Sequence, residues 1–340
     1  MKSKLFRFTA AIFGAYASRF LASFAQGTRG FIGMAKETTW GSGVAATDYM
    51  EAMSENLSTS IERFPTRNIF GGYYEPDDSP GMSRSAGGIV TFGHPVSVGH
   101  MLKAIFNNCS QSVVLSGSLF RNNFISTKSE FAYGVPRQPY TLEINRDVTS
   151  SHRYVGAVAN RMTLTLAPNQ DLRASVEWIA KGRSLIAATT PTFPGSSIEP
   201  FTFDTASVQI GGAATSRVEA LTVTIDNQLE GVPALNNSNE IARIHATGPQ
   251  MLRISGTMDF ADVTEEQDFI NQTERTLKVS VTKAASFQMT LDVPRFQYTA
   301  YPMGTPGRGR TTVAFEGQAR YSQTSGCAAL IQLTTIKSNY

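Results

Sequence analysis

The feature that most constrains this chain is an alternation of apolar and polar residues, which recurs in short segments from about residue 140 onward. A period of two is typical of β-strands with one buried face. Gly, Pro and Asn turn signals separate the segments. The segments are YTLEI (140–144), NRMTLTL (160–166), RASVEWIA (173–180), ASVQIG (206–211), ALTVTI (220–225), LRISGTMDF (252–260), TLKVSVTK (276–283), SFQMTLDV (286–293), TTVAFEGQARYS (311–322) and AALIQLTTI (328–336). Many short strands joined by such turns predict a mainly β fold, an antiparallel β-sandwich or partial barrel.

Two of these segments echo each other. Met162–Leu166 and Leu221–Ile225 match residue for residue in polarity, and Leu172–Ser175 (LRAS) is matched by Leu252–Ser255 (LRIS). Each of these two similar regions predicts a β-hairpin. An internal duplication and two hairpins that obey the same pattern independently both explain the similarity.

Helical signals are few. The segment TEEQDFINQ (264–272) offers Thr264 as a capping residue, and Glu265 and Glu266 follow in the first turn. We therefore expect a short helix there.

The composition excludes several classes of protein. The chain has 340 residues, of which 41% are hydrophobic and 17% charged, and its formal net charge is +3. These values describe a globular protein without the excess of basic residues that is typical of proteins that recognise nucleic-acid sequences. Cys109 and Cys327 are too few for a disulfide framework, and one bridge or two free thiols both remain open.

Candidate catalytic and metal-binding patterns are lacking. The histidines have no metal-ligand spacing with one another or with the cysteines, and no nucleophile or phosphate-loop motif is present. The histidines are His94, His100, His152 and His245. We expect no enzyme activity, no catalytic residues, no cofactor and no metal.

Two segments differ from the strand pattern. Residues 1–30 place most of their aromatic and aliphatic residues on one face of a helical wheel, which predicts an amphipathic helix, although a secretory signal is the alternative. The region 65–139 begins with a stretch rich in Gly, Pro, Ser and aromatics that is too long for an ordinary connection, and it predicts a long arm or loop.

A more specific pattern lies in GFIGMAKETTWGSGVAATDYMEAMSENL (30–57). It resembles the start of the tail tube proteins of long-tailed bacteriophages, in which an ExTxG-like turn precedes a Pro-Thr pair and a later strand with the pattern SE.L. Ala46-Thr47 stands here in place of the usual Pro-Thr. The resemblance continues through 154–182, 220–231, 248–262, 291–302 and 315–321, and it covers roughly 31–340.

That resemblance implies a structural virion protein. Members of the family form rings, typically hexameric, that stack into the tube through which phage DNA passes. The expected partners are further copies of the chain and other tail proteins (tape measure, tail terminator, and distal tail or baseplate proteins), with no membrane, and assembly is expected in the host cytoplasm. We expect one β domain over 31–340, with similar hairpin modules around 154–182 and 218–260, and an extension over 1–30.

Candidate site residues follow from the tube interpretation. A lumen that lets DNA slide favours an uncharged polar wall, and threonine combines a β-branched side chain with a hydroxyl. The candidates for the lumen are Thr163, Thr165, Thr222, Thr224 and Asp226; an ordinary solvent or inter-sheet face is the alternative for them. The candidates for inter-subunit contacts are Phe13, Phe20, Phe24, Phe70, Tyr73 and Tyr74.

Two other functions stay open at this stage. A secreted or outer-membrane β-barrel protein would use the N-terminus as a signal, and its strands would carry outward apolar bands with aromatic girdles. Another virion β-protein, such as a baseplate or capsid decoration component, would share the sandwich without forming long tubes.

Overall fold

The structure is a computed structural model that describes residues 25–65, 77–116, 119–126, 137–194, 198–304, 307–338 and 340, with the backbone alone for 111–116. In these residues the chain is mainly β, and its strands pair in antiparallel fashion. The predicted fold class, a sandwich-like antiparallel β protein, is confirmed.

The first group of strands pairs in the order β2–β1–β8–β9–β11. Its members are β1 (Phe31–Lys36), β2 (Asp48–Met50), β8 (Tyr140–Asn145), the first half of β9 (Ser150–Leu166) and β11 (Gly182–Ala187). β8 is buried along its whole length, so both of its faces are covered.

The second group is larger and includes the second half of β9. Its central order is β5–β10–β9–β14–β17–β20–β19–β18–β12–β13, and β21, β7 and β6 extend it from β19. The members are β3 (Ser54–Glu55), β4 (Ser58–Pro65), β5 (Asp78–Phe92), β6 (Ser110–Ser116), β7 (Leu119–Ile125), β10 (Arg173–Ala180), β12 (Ala206–Ile210), β13 (Ala213–Thr215), β14 (Val218–Asp226), β17 (Met251–Asp259), β18 (Glu274–Ala284), β19 (Phe287–Ala300), β20 (Thr312–Ala319) and β21 (Leu330–Thr335). A separate hairpin joins β15 (Leu229–Val232) to β16 (Arg243–Ala246).

The long strand β9 belongs to both groups. Its residues 150–157 lie beside β8 and β11, whereas Val158 and the residues after it pair with β10. The register with β10 shifts between Glu177 and Trp178, which leaves Asn160 as an extra residue in β9. Because such a bulge bends and twists a strand, it lets one strand pass from the first group to the second.

A buried helix, α1 (Ser97–Phe106), fills part of the interior. Its residues Val98, Met101, Leu102 and Ile105 are 0% exposed, and the helix contacts β7, β9 and β10. The spacing of these residues is that of one helical face. The helix ends at Asn107, whose backbone is left-handed (φ 59°).

The structure differs here from the arm predicted over 65–139. The described part of that region is largely β5, α1, β6 and β7. β5 resembles a loop in sequence because glycines interrupt its alternation. At Gly87 (φ +157°) a Cβ atom would lie 2.6 Å from the Asn56 carbonyl oxygen, so close backbone approach explains this glycine without a loop.

The predicted short helix is confirmed as α2 (Thr264–Ile270), with Glu265 and Glu266 in its first turn. Its cap differs from the prediction. The Thr264 backbone N–H donates to Asp262 Oδ1 at 2.8 Å, so Asp262 supplies the capping acceptor. Two short 3-10 turns, Gly27–Arg29 and Phe203–Thr205, complete the regular structure of the described residues.

Candidate functional site

The threonine segments lie side by side at the centre of one sheet. β9 and β14 pair so that Thr163 lies opposite Thr224 and Thr165 lies opposite Thr222. All four threonines are partly exposed, whereas Leu164 and the other residues that alternate with them are buried. The sequence predicted the alternation in each strand but not that the two polar faces would join.

β10 and β17 extend this surface on either side, and β20 lies beyond β17. Cross-strand pairing aligns the outward residues in three rows, which we call the polar face. The rows are Arg173–Thr165–Thr222–Ser255–Glu316, Ser175–Thr163–Thr224–Arg253–Gln318, and Glu177–Arg161–Asp226–Met251. The polar face is therefore rich in hydroxyls and carries both signs of charge.

The repeat seen in the sequence has a geometric counterpart in this sheet. Thr163 pairs with Ser175 in β10, and its counterpart Thr222 pairs with Ser255 in β17. A local two-fold axis between β9 and β14 therefore relates the two hairpins in register. The pairing explains why the matched segments carry the same polarity, and both origins of the repeat remain compatible with it.

One edge of the polar face is held by an ion-pair cluster. Arg161 Nη2 lies 2.8 Å from Asp226 Oδ2, and its Nε donates to the same oxygen at 3.2 Å. Arg161 Nη1 also lies 3.9 Å from Glu177 Oε2. The hydrogen bond to Asp226 raises the pKa of Arg161, so the guanidinium stays charged.

The charges on the polar face balance. Its arginines are Arg161, Arg173 and Arg253, and its carboxylates are Glu177, Asp226 and Glu316. The surface is close to neutral within a Debye length.

A buried asparagine fixes the end of the β9–β14 pair. Asn227 is 0% exposed, and its Nδ2 donates to the carbonyl oxygens of Ile105 and Ala159, both at 3.0 Å. Gln250 Nε2 donates to Asn227 Oδ1 at 2.7 Å. The side chain thus ties the end of α1 to β9, and it holds the turn that presents Asp226.

The KETTWG segment is organised by a second buried polar residue. Glu37 is 2% exposed; its Oε1 accepts from Thr141 Oγ1 at 2.7 Å and from the Gly156 N–H at 2.8 Å, and its Oε2 accepts from the Gly41 N–H at 2.7 Å. Trp40 Nε1 donates to the Gly156 carbonyl oxygen at 3.1 Å. This part of the motif therefore joins the loop after β1 to β8 and β9.

A half-open cavity of about 360 Å³ lies on the first group of strands. Asp48, His100 and Lys337 meet on its wall; His100 Nε2 lies 3.6 Å from Asp48 Oδ1, and Lys337 Nζ contacts the same carboxylate. Burial, with a smaller contribution from Lys337, lowers the pKa of His100 to about 4. The Tyr340 ring packs edge-on against His100, with ring centroids 5.0 Å apart, so the cluster anchors the chain near Tyr340 to α1.

No group of three or more metal-ligating side chains comes together among the described residues. Cys109 and Cys327 are both free, and burial raises the pKa of each thiol. Within the described part of the chain, no helix has the length and apolar character needed to cross a membrane.

Part of the predicted site lies outside the residues that the structure describes. Residues 1–24 of the predicted N-terminal helix lie outside the described residues, and Gly27–Arg29 at its end form a 3-10 turn. The candidate contact residues also lie outside the described residues; they are Phe13, Phe20, Phe24, Phe70, Tyr73 and Tyr74. Sequence reasoning missed Arg161 and Glu177, although Arg161 lies two residues before Thr163 and the period of two assigns it to the same face. Asn227 had only a turn signal, and nothing in the sequence identified its partners.

Comparison with known proteins gives one family. The family model described as "Phage tail tube protein" matches residues 27–320, a range that contains β1, the polar face and both helices. No curated protein matches the chain. Because the family match spans most of the sequence, the chain belongs to the phage tail tube protein family.

Proposed function

We propose that this protein is the major tail tube subunit of its phage, and that copies of it form stacked rings whose channel conducts DNA during ejection. The family is one of structural tail proteins, which supports a place in the virion and a role other than catalysis. A hexameric ring is the arrangement that the family resemblance favours. Assembly in the host cytoplasm belongs to the same proposal.

The observation that carries the proposal is the polar face. DNA would bind strongly to a wall of unpaired cations, because each phosphate contact releases counterions. The centre of the face instead presents hydroxyls, and its three arginines are equalled in number by its three carboxylates. Such a surface offers water-bridged contacts and little net attraction, as a channel for sliding DNA requires. We therefore assign the five predicted residues, Thr163, Thr165, Thr222, Thr224 and Asp226, to the lumen.

Features of the second group of strands support self-assembly. Within the described residues, β4 pairs only with β5 and β13 pairs only with β12, so each leaves an edge open. An open edge is a template for pairing with another chain. β4 also exposes Ile61 (54%) and Phe64 (58%), which suits burial against a neighbour. Contacts with tape measure, terminator and distal tail or baseplate proteins are part of the proposal.

Electron microscopy of the purified protein and of tails tests the assembly. We expect rings and tubes with an open axial channel. A chain that stays monomeric at high concentration and in the presence of its natural initiator complex would contradict the proposal.

The lumen assignment has its own test, Thr222→Lys in assembled tails. A lysine from every subunit would line the channel with cations, so we expect tubes that assemble but release DNA slowly at low salt, with recovery as salt rises. Thr282→Lys is the matched control, because Thr282 is exposed on β18, away from the polar face. Release from Thr222→Lys tails at the wild-type rate would show that this face lies elsewhere.

A further inference from the structure

Arg161 has a different environment from the other arginines of the polar face. Of the three arginines on this face, Arg161 alone has a guanidinium within 4 Å of a carboxylate in the described part of the chain. Arg253 Nη2 instead donates to Met251 Sδ at 3.5 Å, and Arg173 is exposed at the start of β10. One cation of the face is therefore held by acidic neighbours in a defined geometry.

The geometry is set by the sheet itself. Arg161 lies directly opposite Asp226 on one side and directly opposite Glu177 on the other. Opposite charges in this arrangement attract across the strands, and the side chains need no long loop to meet. The Arg161 side chain is 45% exposed and that of Asp226 is 23% exposed, so the pair is on the surface and within reach of a solute.

Asp226 is fixed before any ligand arrives. Its Oδ1 accepts the Gln228 backbone N–H at 2.9 Å, in a turn where Gln228 has a positive φ of 49°. Its Oδ2 remains for Arg161. The following residue, Asn227, is buried and anchored to α1 and β9, so the carboxylate projects from a rigid turn.

We propose that Asp226, assisted by Glu177, masks Arg161 from the phosphates of duplex DNA, and this inference rests on the proposed function of the polar face. A phosphate that approaches the Nε and Nη2 edge of Arg161 must displace the Asp226 carboxylate that is already hydrogen-bonded there. The mask removes one cationic contact per subunit. Asp226 is thus a positioning residue for Arg161 rather than merely one more negative charge.

The mask is tested on the purified full-length subunit, with a short fluorescent DNA duplex and binding measured by anisotropy between low and physiological salt. Asp226→Asn removes the charge but keeps an oxygen for the Gln228 N–H. We expect this variant to bind the duplex severalfold more tightly than wild type at low salt. The slope of log K against log salt should steepen by about 0.9 for the one added phosphate contact.

Two further variants separate the mask from net charge. Glu316→Gln makes the same charge change on the same face, at an exposed residue of β20 that is distant from Arg161 in the cross-strand rows. It should tighten binding less than Asp226→Asn does. Adding Arg161→Gln to Asp226→Asn should return affinity and slope to the wild-type values.

Equal tightening by Asp226→Asn and Glu316→Gln would overturn the mask, because net charge would then account for the effect. No tightening by Asp226→Asn, or tightening that survives Arg161→Gln, would overturn it as well. The lumen assignment fails separately, through normal DNA release from Thr222→Lys tails. The subunit assay and the tail assay therefore distinguish the two failures.

Discussion

At the residue scale, threonine performs two tasks on the polar face. Its β-branched side chain favours the extended backbone of β9 and β14, and its hydroxyl keeps the outward surface polar without charge. Thr163 and Thr224 are direct cross-strand neighbours, as are Thr165 and Thr222. Thr–Thr pairs of this kind contribute about 0.2–1 kcal/mol each to sheet stability. The same residues therefore stabilise the sheet and give its surface its chemistry.

The buried side chain of Asn227 stabilises the β9–β14 pair that carries these threonines. Asn227→Leu should lower the free energy of unfolding by about 2–3 kcal/mol, because it removes the buried hydrogen bonds that the Asn227 side chain makes to the carbonyl oxygens of Ile105 and Ala159 and to Gln250 Nε2. Urea unfolding measures the change. The matched control is Asn236→Leu in an exposed loop, which should stay within about 0.5 kcal/mol of wild type. Equal stability of the two variants would contradict the role of Asn227.

At the element scale, α1 shows how a helix can be essential to a β protein. It lies in the interior against β7, β9 and β10, and its C-terminal turn accepts a hydrogen bond from Asn227 at Ile105. Arg137 Nη1 also donates to the Ile105 carbonyl oxygen at 2.9 Å. The helix thus links the first group of strands to the sheet that carries the polar face.

Gly99 tests how closely α1 is packed. A Cβ atom there would overlap the Tyr340 ring, so Gly99→Ala should destabilise the fold by about 1–3 kcal/mol. This loss would occur although alanine favours a helix over glycine by about 1 kcal/mol.

A double-mutant cycle gives the matching control. In a Tyr340→Ala background the clash is absent, so Gly99→Ala should become neutral or stabilising in thermal or urea unfolding. Strictly additive effects would mean that Tyr340 does not occupy the space above Gly99.

At the scale of the whole molecule, histidine burial makes stability depend on pH. Burial lowers the pKa of His94, His100 and His152 in the folded chain, and that of His100 falls to about 4 from 6.5. Between these two values the unfolded chain binds more protons than the folded chain, so stability falls as the pH decreases.

Between pH 7 and pH 5, we expect His100 alone to lower the free energy of unfolding by about 1–2 kcal/mol, as measured by urea unfolding at each pH. The pKa of Asp48 is also lowered, but the stabilisation it provides is lost only below its ordinary value of 3.8, outside this window. His100→Gln should flatten the pH dependence without abolishing it, because His94 and His152 remain. Parallel pH profiles for wild type and His100→Gln would refute the contribution of His100.

The sequence by itself determined the local part of this protein. Alternation with a period of two placed β10, β12 and β14 within a few residues of their true bounds, and it assigned the threonines to outward faces. The order of motifs along the chain also identified the family, because each turn or strand pattern depends only on residues that are close together in sequence.

Only the tertiary structure decided which strands meet. The joining of two threonine faces, the passage of β9 between two groups of strands, and the partners of Arg161 and Asn227 all depend on contacts far apart in sequence. The region 65–139 was expected to be an arm or loop because it begins with a long stretch rich in Gly, Pro, Ser and aromatics, whereas long-range pairing with β4 and β10 makes residues 78–92 of it the strand β5. A period of two fixes which face of the sheet a side chain points to. Which residues lie beside it on the neighbouring strands depends on how the whole sheet is buried, and these neighbours decide the chemistry of the polar face.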